Sequence, residues 1–172
     1  MLFLCIAFSS TAQVLPVDSI TGRIMYTGVV RVDSASADEL FSRATLWYSA
    51  TFKSAKAAME LSDRQSGIIT SDPNVNFPAF FTFNNGKRQE TGSVTFTLKI
   101  QCKDGRFKYE LTDLVHIGPA CSSMPLERES QLCYRQYLWA SLKGEADKSA
   151  NELIQSLSKA MSSRKVADGG DW

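Results

Sequence analysis

Few residues of this 172-residue chain could carry out acid, base or nucleophilic chemistry. His116 is the single histidine, so a mechanism that needs two histidines is excluded. Glu110 and Asp113 could act as an acid and base pair, but residues three apart on one strand face opposite sides of a sheet. Ser156 and Lys159 match the serine–lysine spacing of some hydrolases, yet they lie on the polar face of a predicted helix without companion motifs. The sequence therefore predicts a protein that is not an enzyme and needs no cofactor.

The cysteines favour a disulfide over a metal site. Cys102, Cys121 and Cys133 follow the N-terminal segment. A predicted strand from Arg106 to about Ile117 would hold the first two roughly 35–40 Å apart, beyond disulfide reach. Cys121 and Cys133 form the possible disulfide, and three free, buried thiols are the alternative. The sequence has no C-x-x-C pair that would clamp zinc, so we predict no metal site.

Composition limits the classes of partner. The chain has 19 Lys and Arg residues against 18 Asp and Glu residues. Binding to a phosphate backbone normally requires a strongly basic surface, so we predict that nucleic acid is not a partner. Beyond the N-terminus, no stretch approaches the roughly 18–20 apolar residues that cross a bilayer, so we predict no stable membrane insertion.

Residues 1–12 are typical of a signal peptide. An apolar run from Leu2 to Phe8 precedes Ser10-Thr11-Ala12, a small-residue cleavage pattern that would start the mature chain near Gln13. A buried N-terminal strand is the alternative interpretation. We expect the protein to be exported, and therefore periplasmic or secreted.

The strongest structural pattern lies between Gly92 and Ile117. Apolar residues alternate with polar ones on both sides of Asp104-Gly105, a pair that favours a tight hairpin turn. The apolar set is Val94, Phe96, Leu98, Ile100 and Cys102, followed by Phe107, Tyr109 and Leu111. This pattern predicts a long antiparallel hairpin with one apolar face and one polar face.

Further elements flank this hairpin. Arg23 to Val32 alternates as a first strand, in which Gly28 weakens the strand or marks a bulge. Ser36 to Glu39 forms a capping box that begins a helix with a buried stripe. A second, smaller hairpin turns at Asp63 to Gly67, with Met59 on its first strand, and Asn85-Gly86 predicts another turn.

The C-terminal third has helical spacing. A short helix is predicted over residues 132–142, Gly144 interrupts the pattern, and a stronger helix follows over residues 146–161. The element order predicts a two-layer α+β domain over residues 23–162, with an antiparallel sheet of about five strands and helices on one face. Residues 163–172 are predicted to be a flexible tail.

Several segments resemble one protein family. They are Asp38-Glu39-Leu40-Phe41-Ser42-Arg43-Ala44, Trp47, Phe52-Lys53-Ser54, Gly67-Ile68-Ile69, the run Thr95 to Ile100 and the run Lys103 to Tyr109. Together they resemble the family catalogued as domain of unknown function 4468, over about Arg23 to Ile117 and more loosely beyond. The resemblance implies a TATA-binding-protein-like (TBP-like) fold of strand, helix, four strands and helix, in an exported protein of Bacteroidetes-type bacteria. The family's function is unknown, so it implies no catalytic residue, and a fold name does not transfer DNA binding.

Two features are candidates for partner binding. The first is the open polar face of the hairpin, with Thr95, Thr97, Lys99 and Lys108, for which a plain solvated face is the alternative. The second is a phenylalanine-rich segment, for which folding back onto the core is the alternative. Its members are Phe77, Phe80, Phe81 and Phe83.

These features together predict a non-catalytic exported module that binds an unknown protein or glycan of the cell envelope, or that has a structural role. The alternative function is that of a cell-envelope hydrolase or a small-molecule-binding protein. A deep pocket with two convergent carboxylates would favour the hydrolase.

Overall fold

The computed structural model describes residues 15–52, 62–71, 75–119, 121–130 and 132–163. In chain order the elements are β1 (Tyr26–Arg31), α1 (Ala37–Thr51), β2 (Ser62–Asp63), β3 (Ile68–Thr70), β4 (Asn76–Thr82), β5 (Arg88–Lys103), β6 (Arg106–Gly118), β7 (Cys121–Pro125) and α2 (Gln136–Ser162). The predicted signal peptide, the predicted strand residue Met59 and the tail beyond residue 163 lie outside the described residues.

β5 and β6 form the long hairpin on which the sheet is built. One end of the hairpin belongs to the strand order β1-β6-β5-β3-β2, while β4 pairs with the other end of β5 and β7 with the other end of β6. All of these pairings are antiparallel. The α+β class is confirmed, with seven strands in the part of the chain that the structure describes instead of about five. One of the additional strands is β7, whose sequence lacks the apolar alternation that would have predicted it.

The apolar positions of the hairpin form the centre of the core. Val94, Phe96, Leu98, Ile100 and Cys102 are at most 4% exposed, as the alternation predicted. Burial of each large apolar side chain contributes roughly 1.5–3 kcal/mol relative to exposure. Buried residues of both helices pack against the same face, so the helices and the sheet form two layers.

α1 begins where its sequence signal indicates. Ser36 Oγ accepts a hydrogen bond from the backbone N–H of Glu39 at 3.2 Å, which confirms half of the predicted capping box. The Glu39 carboxylate pairs with Arg43 one turn later, at 2.5 Å. The helix stops at Thr51, and its stripe is buried against the sheet. That stripe consists of Leu40, Phe41, Ala44, Trp47 and Tyr48.

The C-terminal helix differs from its prediction. α2 is continuous from Gln136 to Ser162, so Gly144 does not interrupt it, and Leu132 lies before it and is fully exposed. A glycine inside a helix costs about 1 kcal/mol relative to alanine. Leu142 and Ala146, on either side of the glycine, are both buried, and this packing outweighs that cost. Among the described residues, neither helix has the length and apolar character needed to cross a membrane.

β1 is regular through its glycine. The register with β6 is continuous from Tyr26 to Arg31, so the bulge considered at Gly28 does not form. The ring of Tyr109, the cross-strand partner, covers Gly28 so closely that a Cβ there would lie 2.6 Å from the tyrosine hydroxyl. An aromatic ring over a strand glycine supplies the packing that the glycine lacks.

A β-bulge divides the hairpin into two halves. The register shifts between Thr95 and Thr97, where Asp113 and Leu114 together oppose Phe96, and Asp113 has a φ of 56°. An extra residue reverses the inward and outward alternation beyond it. Leu114 and His116 therefore point into the core. We call residues 97–112 the turn half, and residues 88–95 with 113–118 the base half.

Candidate binding surface on the open face of the sheet

The face of the sheet opposite the helices carries the polar side chains of the hairpin. Tyr26, Phe107 and Ile100 point into the core, so the residues that alternate with them point outward. We call this side the outer face. In the turn half it consists of Thr27, Val29 and Arg31 from β1, Arg106, Lys108 and Glu110 from β6, and Lys99, Gln101 and Lys103 from β5.

Strand register arranges these side chains in rows across the sheet. Arg31 pairs with Arg106, which pairs in turn with Lys103, so three cations stand side by side next to the turn. The following rows contain Val29, Lys108 and Gln101, and then Thr27, Glu110 and Lys99. Five cations and one carboxylate thus share this surface in a chain whose net charge is +1. We call Arg31, Lys99, Lys103, Arg106 and Lys108 the cationic patch.

Most charges of the cationic patch are not neutralised by the chain itself. Lys108 Nζ pairs with Glu110 at 2.5 Å, but none of the other four cations makes an ion pair within the described residues. Asp104 lies in the adjoining turn, where its carboxylate accepts a hydrogen bond at 2.7 Å from the backbone N–H of Ala37 at the start of α1. That carboxylate is therefore engaged on the helix side of the sheet.

A cavity of about 180 Å³ lies within the cationic patch. Its lining residues are Val29, Gln101, Lys103, Arg106, Phe107 and Lys108. Val29 is 61% exposed, so the cavity combines an apolar side chain with three cations and an amide. Arg31 does not line this cavity, and together with Asp33 and Glu39 it borders a separate polar cavity.

Two of the four polar residues proposed from the sequence belong to the patch. Lys99 and Lys108 are members, and Thr97 borders them opposite Thr112. Thr95 lies beyond the bulge, and its hydroxyl donates a hydrogen bond to the carbonyl of Val115 at 3.3 Å. The structure thus brings three of these residues together and separates the fourth from them.

The sequence patterns missed the row of three cations next to the turn. The missed members are Arg31, Lys103 and Arg106, with Val29 beside them. A usable signal was present, because a two-residue Asp104-Gly105 turn pairs the residues on either side of it. Arg31 had no such signal, since its pairing with Arg106 joins distant parts of the chain.

The phenylalanine-rich segment is divided between the two faces. Phe77 stacks on Phe96 with 5.2 Å between ring centroids, Phe81 is 6% exposed, and Phe83 packs against the core. These three face the helix side, as the folding-back interpretation required. Phe80 is half-buried on the outer face, with the guanidinium of Arg88 4.1 Å from its ring centroid.

His116 is fully buried in the base half. Its Nε2 donates a hydrogen bond to the carbonyl of Thr91 at 2.9 Å, and the rings of Tyr134 and Trp139 lie beside it. Burial lowers the pKa of His116, and the hydrogen bond to Thr91 opposes that change in part. The imidazole is therefore neutral at pH 7 and out of reach of a substrate in solvent.

The cysteines are in different chemical states. Cys102 is a buried free thiol, and burial raises its pKa to about 11, so it stays protonated and is a poor nucleophile. Cys133 is disulfide-bonded. The side chain of Cys121, its predicted partner, lies outside the described residues, so that pairing stays a prediction.

A second cavity, of about 370 Å³, lies between β1 and α2. The hydroxyl of Tyr26 donates a hydrogen bond to the buried carboxylate of Asp147 at 2.7 Å. Burial first, and then this hydrogen bond and the carboxylate charge, raise the pKa of Tyr26 far above its usual range. Asp147 is the one carboxylate among the described residues that line this cavity, while two other cavities have two each, Asp33 with Glu39 and Glu145 with Glu152.

Comparisons with known proteins identify the fold. A family model described as "Domain of unknown function (DUF4468) with TBP-like fold" matches residues 26–116. A DUF4468 family protein from Bacteroides ovatus ATCC 8483 has a similar crystal structure, with a TM-score of 0.64, 14% sequence identity, and coverage of 87% of this chain and 92% of that chain. A TBP-like protein from Parabacteroides distasonis ATCC 8503 gives a TM-score of 0.53, 14% identity, and coverage of 80% and 94%. No curated protein matches the chain. These findings confirm the expected TBP-like fold.

Proposed function

This chain belongs to the DUF4468 family with TBP-like fold, and we propose that it is a non-catalytic binding module whose outer face contacts a partner. The single observation that carries the proposal is the row of Arg31, Arg106 and Lys103, in which no member has an ion-pair partner among the described residues. Both helices pack on the opposite face, so this row is open to a partner.

The energetic cost of this row supports a binding role. Like charges on directly opposed strand positions destabilise a sheet by roughly 0.2–1 kcal/mol for each pair. The row contains two such pairs, Arg31 with Arg106 and Arg106 with Lys103. An arrangement that lowers the stability of the free protein fits a surface that gains its favourable contacts on binding.

The phenylalanine-rich segment contributes to this proposal only through Phe80. Phe80 lies on the outer face beyond the bulge, whereas the other three phenylalanines contribute to the core. The contact with Arg88 covers part of its ring. The proposed partner is a protein or glycan of the cell envelope. It contacts the cationic patch and extends along the outer face toward Phe80.

Export is part of the proposal. The residue pattern at positions 1–12 supports it, and so does the disulfide at Cys133, because disulfides persist mainly in oxidising compartments. Fractionation of the native cells, followed by N-terminal sequencing, tests this point. We expect a chain that begins near Gln13 in the envelope fraction, and an uncleaved chain in the cytoplasm would contradict export.

Capture from the native envelope fraction tests the binding function. The bait is the mature protein, and the variant is Lys103→Glu with Arg106→Glu. The matched control, Lys87→Glu with Lys148→Glu, makes the same charge change at exposed positions outside the patch. Recovered protein and glycan are quantified for each bait.

We expect the wild-type protein and the control to recover the same material, and the patch variant to recover at least fivefold less. Equal recovery by all three baits would show that the patch is not the contact surface. Recovery of nothing by a folded wild-type bait would also overturn the proposed function.

A further inference from the structure

We infer that the partner presents an extended acidic polypeptide segment, which lies along the strands over the cationic patch with carboxylates among the side chains of alternate residues that face it. This inference rests on the proposed function and names the chemistry of the partner. Charge sets the first requirement. Four cations of the patch have no ion pair among the described residues, so the group that neutralises them is anionic.

The spacing of the cations matches an extended peptide. Residues two apart on a strand are separated by about 6.6–6.8 Å, and neighbouring strands by about 4.7–4.9 Å. Arg106 and Lys108 occupy such positions on β6, and Lys103 and Gln101 occupy them on β5. A peptide chain that runs parallel to these strands repeats its own side chains at the same interval, so every second residue of the peptide faces the next row.

The surroundings of the patch distinguish a peptide from other polyanions. Val29 offers an exposed apolar side chain between the cations, which an apolar residue of a peptide would cover and a sulfated sugar would not. The one aromatic residue that lines the cavity, Phe107, is 0% exposed, so it offers no ring on which a nucleic-acid base would stack.

The edge of the sheet beside the patch adds a second means of holding a peptide. Within the described residues, β1 pairs with β6 alone, so the backbone groups on its other edge are open to an added strand. A peptide that joins this edge places alternate side chains in line with Arg31 and Val29. Backbone pairing and a carboxylate contact with Arg31 are therefore available together at this edge.

Binding of defined probes to the mature protein, measured by fluorescence anisotropy, tests the inference. The main probe is a ten-residue peptide in which Glu and Val alternate at every second position, so that both lie on one side of the extended chain, with Ser at the positions between them. The comparison probes are a peptide of the same composition with its Glu residues in one block, a heparin-derived hexasaccharide and a ten-nucleotide single-stranded DNA. Each probe is measured at low salt and at physiological salt.

We expect the alternating peptide to bind at least tenfold more tightly than each comparison probe at physiological salt. Lys103→Glu with Arg106→Glu should weaken its binding at least tenfold, and the control Lys87→Glu with Lys148→Glu should change it by less than twofold. Val29→Ser should weaken binding of the alternating peptide severalfold and leave the weak binding of the hexasaccharide unchanged.

Equal or tighter binding of the blocked peptide, the hexasaccharide or the DNA would overturn the inference. So would an alternating peptide that binds the patch variant as well as it binds the wild-type protein. If capture from the envelope fraction depends on the patch while the alternating peptide does not bind, this inference fails and the proposed function stands. If capture does not depend on the patch, the proposed function itself fails.

Discussion

The two halves of the β5–β6 hairpin have opposite surroundings, although the same two strands run through both. The turn half is flanked by β1 and β3 and carries unneutralised cations on its outer face. The base half is flanked by β4 and β7, and His116 and Leu114 are buried on its core side. Strain in the turn half is electrostatic, whereas strain in the base half lies in the backbone and in buried polar atoms.

Backbone geometry shows this difference at two glycines. Gly92, in the base half, has a φ of 109°, and a Cβ there would lie 2.0 Å from the carbonyl oxygen of Ile117. Gly105, in the turn, has a φ of 71° and nothing within 4 Å of the same position. Close packing thus surrounds the glycine of the base half, while the glycine of the turn has open space around it. The core side of both halves is buried, so the two halves differ at these glycines and on the outer face.

Substitution of these glycines gives the largest expected effect. We expect Gly92→Ala to lower the free energy of unfolding by more than about 3 kcal/mol, because an unfavourable φ and a steric clash act together. Gly105→Ala is the matched change and should cost about 1–2 kcal/mol, since only the positive φ is strained. Urea unfolding measures both variants. Equal losses would remove the distinction between the halves.

Substitution of two neighbouring phenylalanines separates the two faces of β4. Phe81→Ser should cost about 3 kcal/mol, because a buried ring that contacts Tyr134 leaves a cavity. Phe80→Ser should cost about 1 kcal/mol or less, because its ring lies on the outer face. Thermal and urea unfolding of the two single variants test this, and a larger loss for Phe80 would contradict the assignment of faces.

Substitution of Asp113, the residue with a positive φ at the bulge, should have a smaller effect on the free energy of unfolding. Asp113 has a φ of 56° and pairs with Arg23 at 2.9 Å on the surface. Asp113→Ala should cost about 1 kcal/mol, since alanine adopts this conformation less readily than aspartate. Asp113→Gly removes the same ion pair without that strain and should cost less. The reverse order would show that the ion pair matters more than the backbone.

Acid should destabilise the base half through His116. Because burial lowers the pKa of His116 in the folded protein, the unfolded chain binds the proton first as pH falls. Its contribution to stability is complete above about pH 6.5 and is lost as pH falls below that value. His116→Gln should flatten the fall in unfolding free energy between pH 7 and pH 5. An unchanged slope would show that other groups cause the acid sensitivity.

Charge reversal in the turn half should have the smallest effect on stability. Lys103→Glu with Arg106→Glu turns the like-charge pair of Arg31 and Arg106 into an opposite-charge pair, while positions 103 and 106 keep like charges of the other sign. We expect the free energy of unfolding to change by less than about 0.5 kcal/mol, or to rise, while partner binding is lost. Urea unfolding measures the stability. A large loss would mean that these side chains stabilise the free protein, which would contradict a binding role.

Local sequence signals predicted the turn half well. Regular alternation and the Asp104-Gly105 turn correctly placed Leu98, Ile100 and Phe107 in the core. The same alternation fails beyond Asp113, because an aspartate that adopts a positive φ has no unique sequence signature. The alternation of apolar and polar residues therefore could not show that His116 points inward. The row of Arg31, Arg106 and Lys103 was also beyond local patterns, since strand pairing between residues 31 and 106 is decided by the tertiary fold.

The hydrogen bond between Tyr26 and Asp147 has a consequence for the order of folding. It joins residues 121 positions apart, while the β5–β6 hairpin closes across two residues. Contacts between distant residues form late, because the intervening chain must first lose its freedom. We expect pulse-labelled hydrogen exchange to protect the amides of β5 before those of β1. A growing chain therefore exposes the part of the hairpin's apolar side that α2 covers until α2 has been synthesised, and the core is complete only after that helix is available.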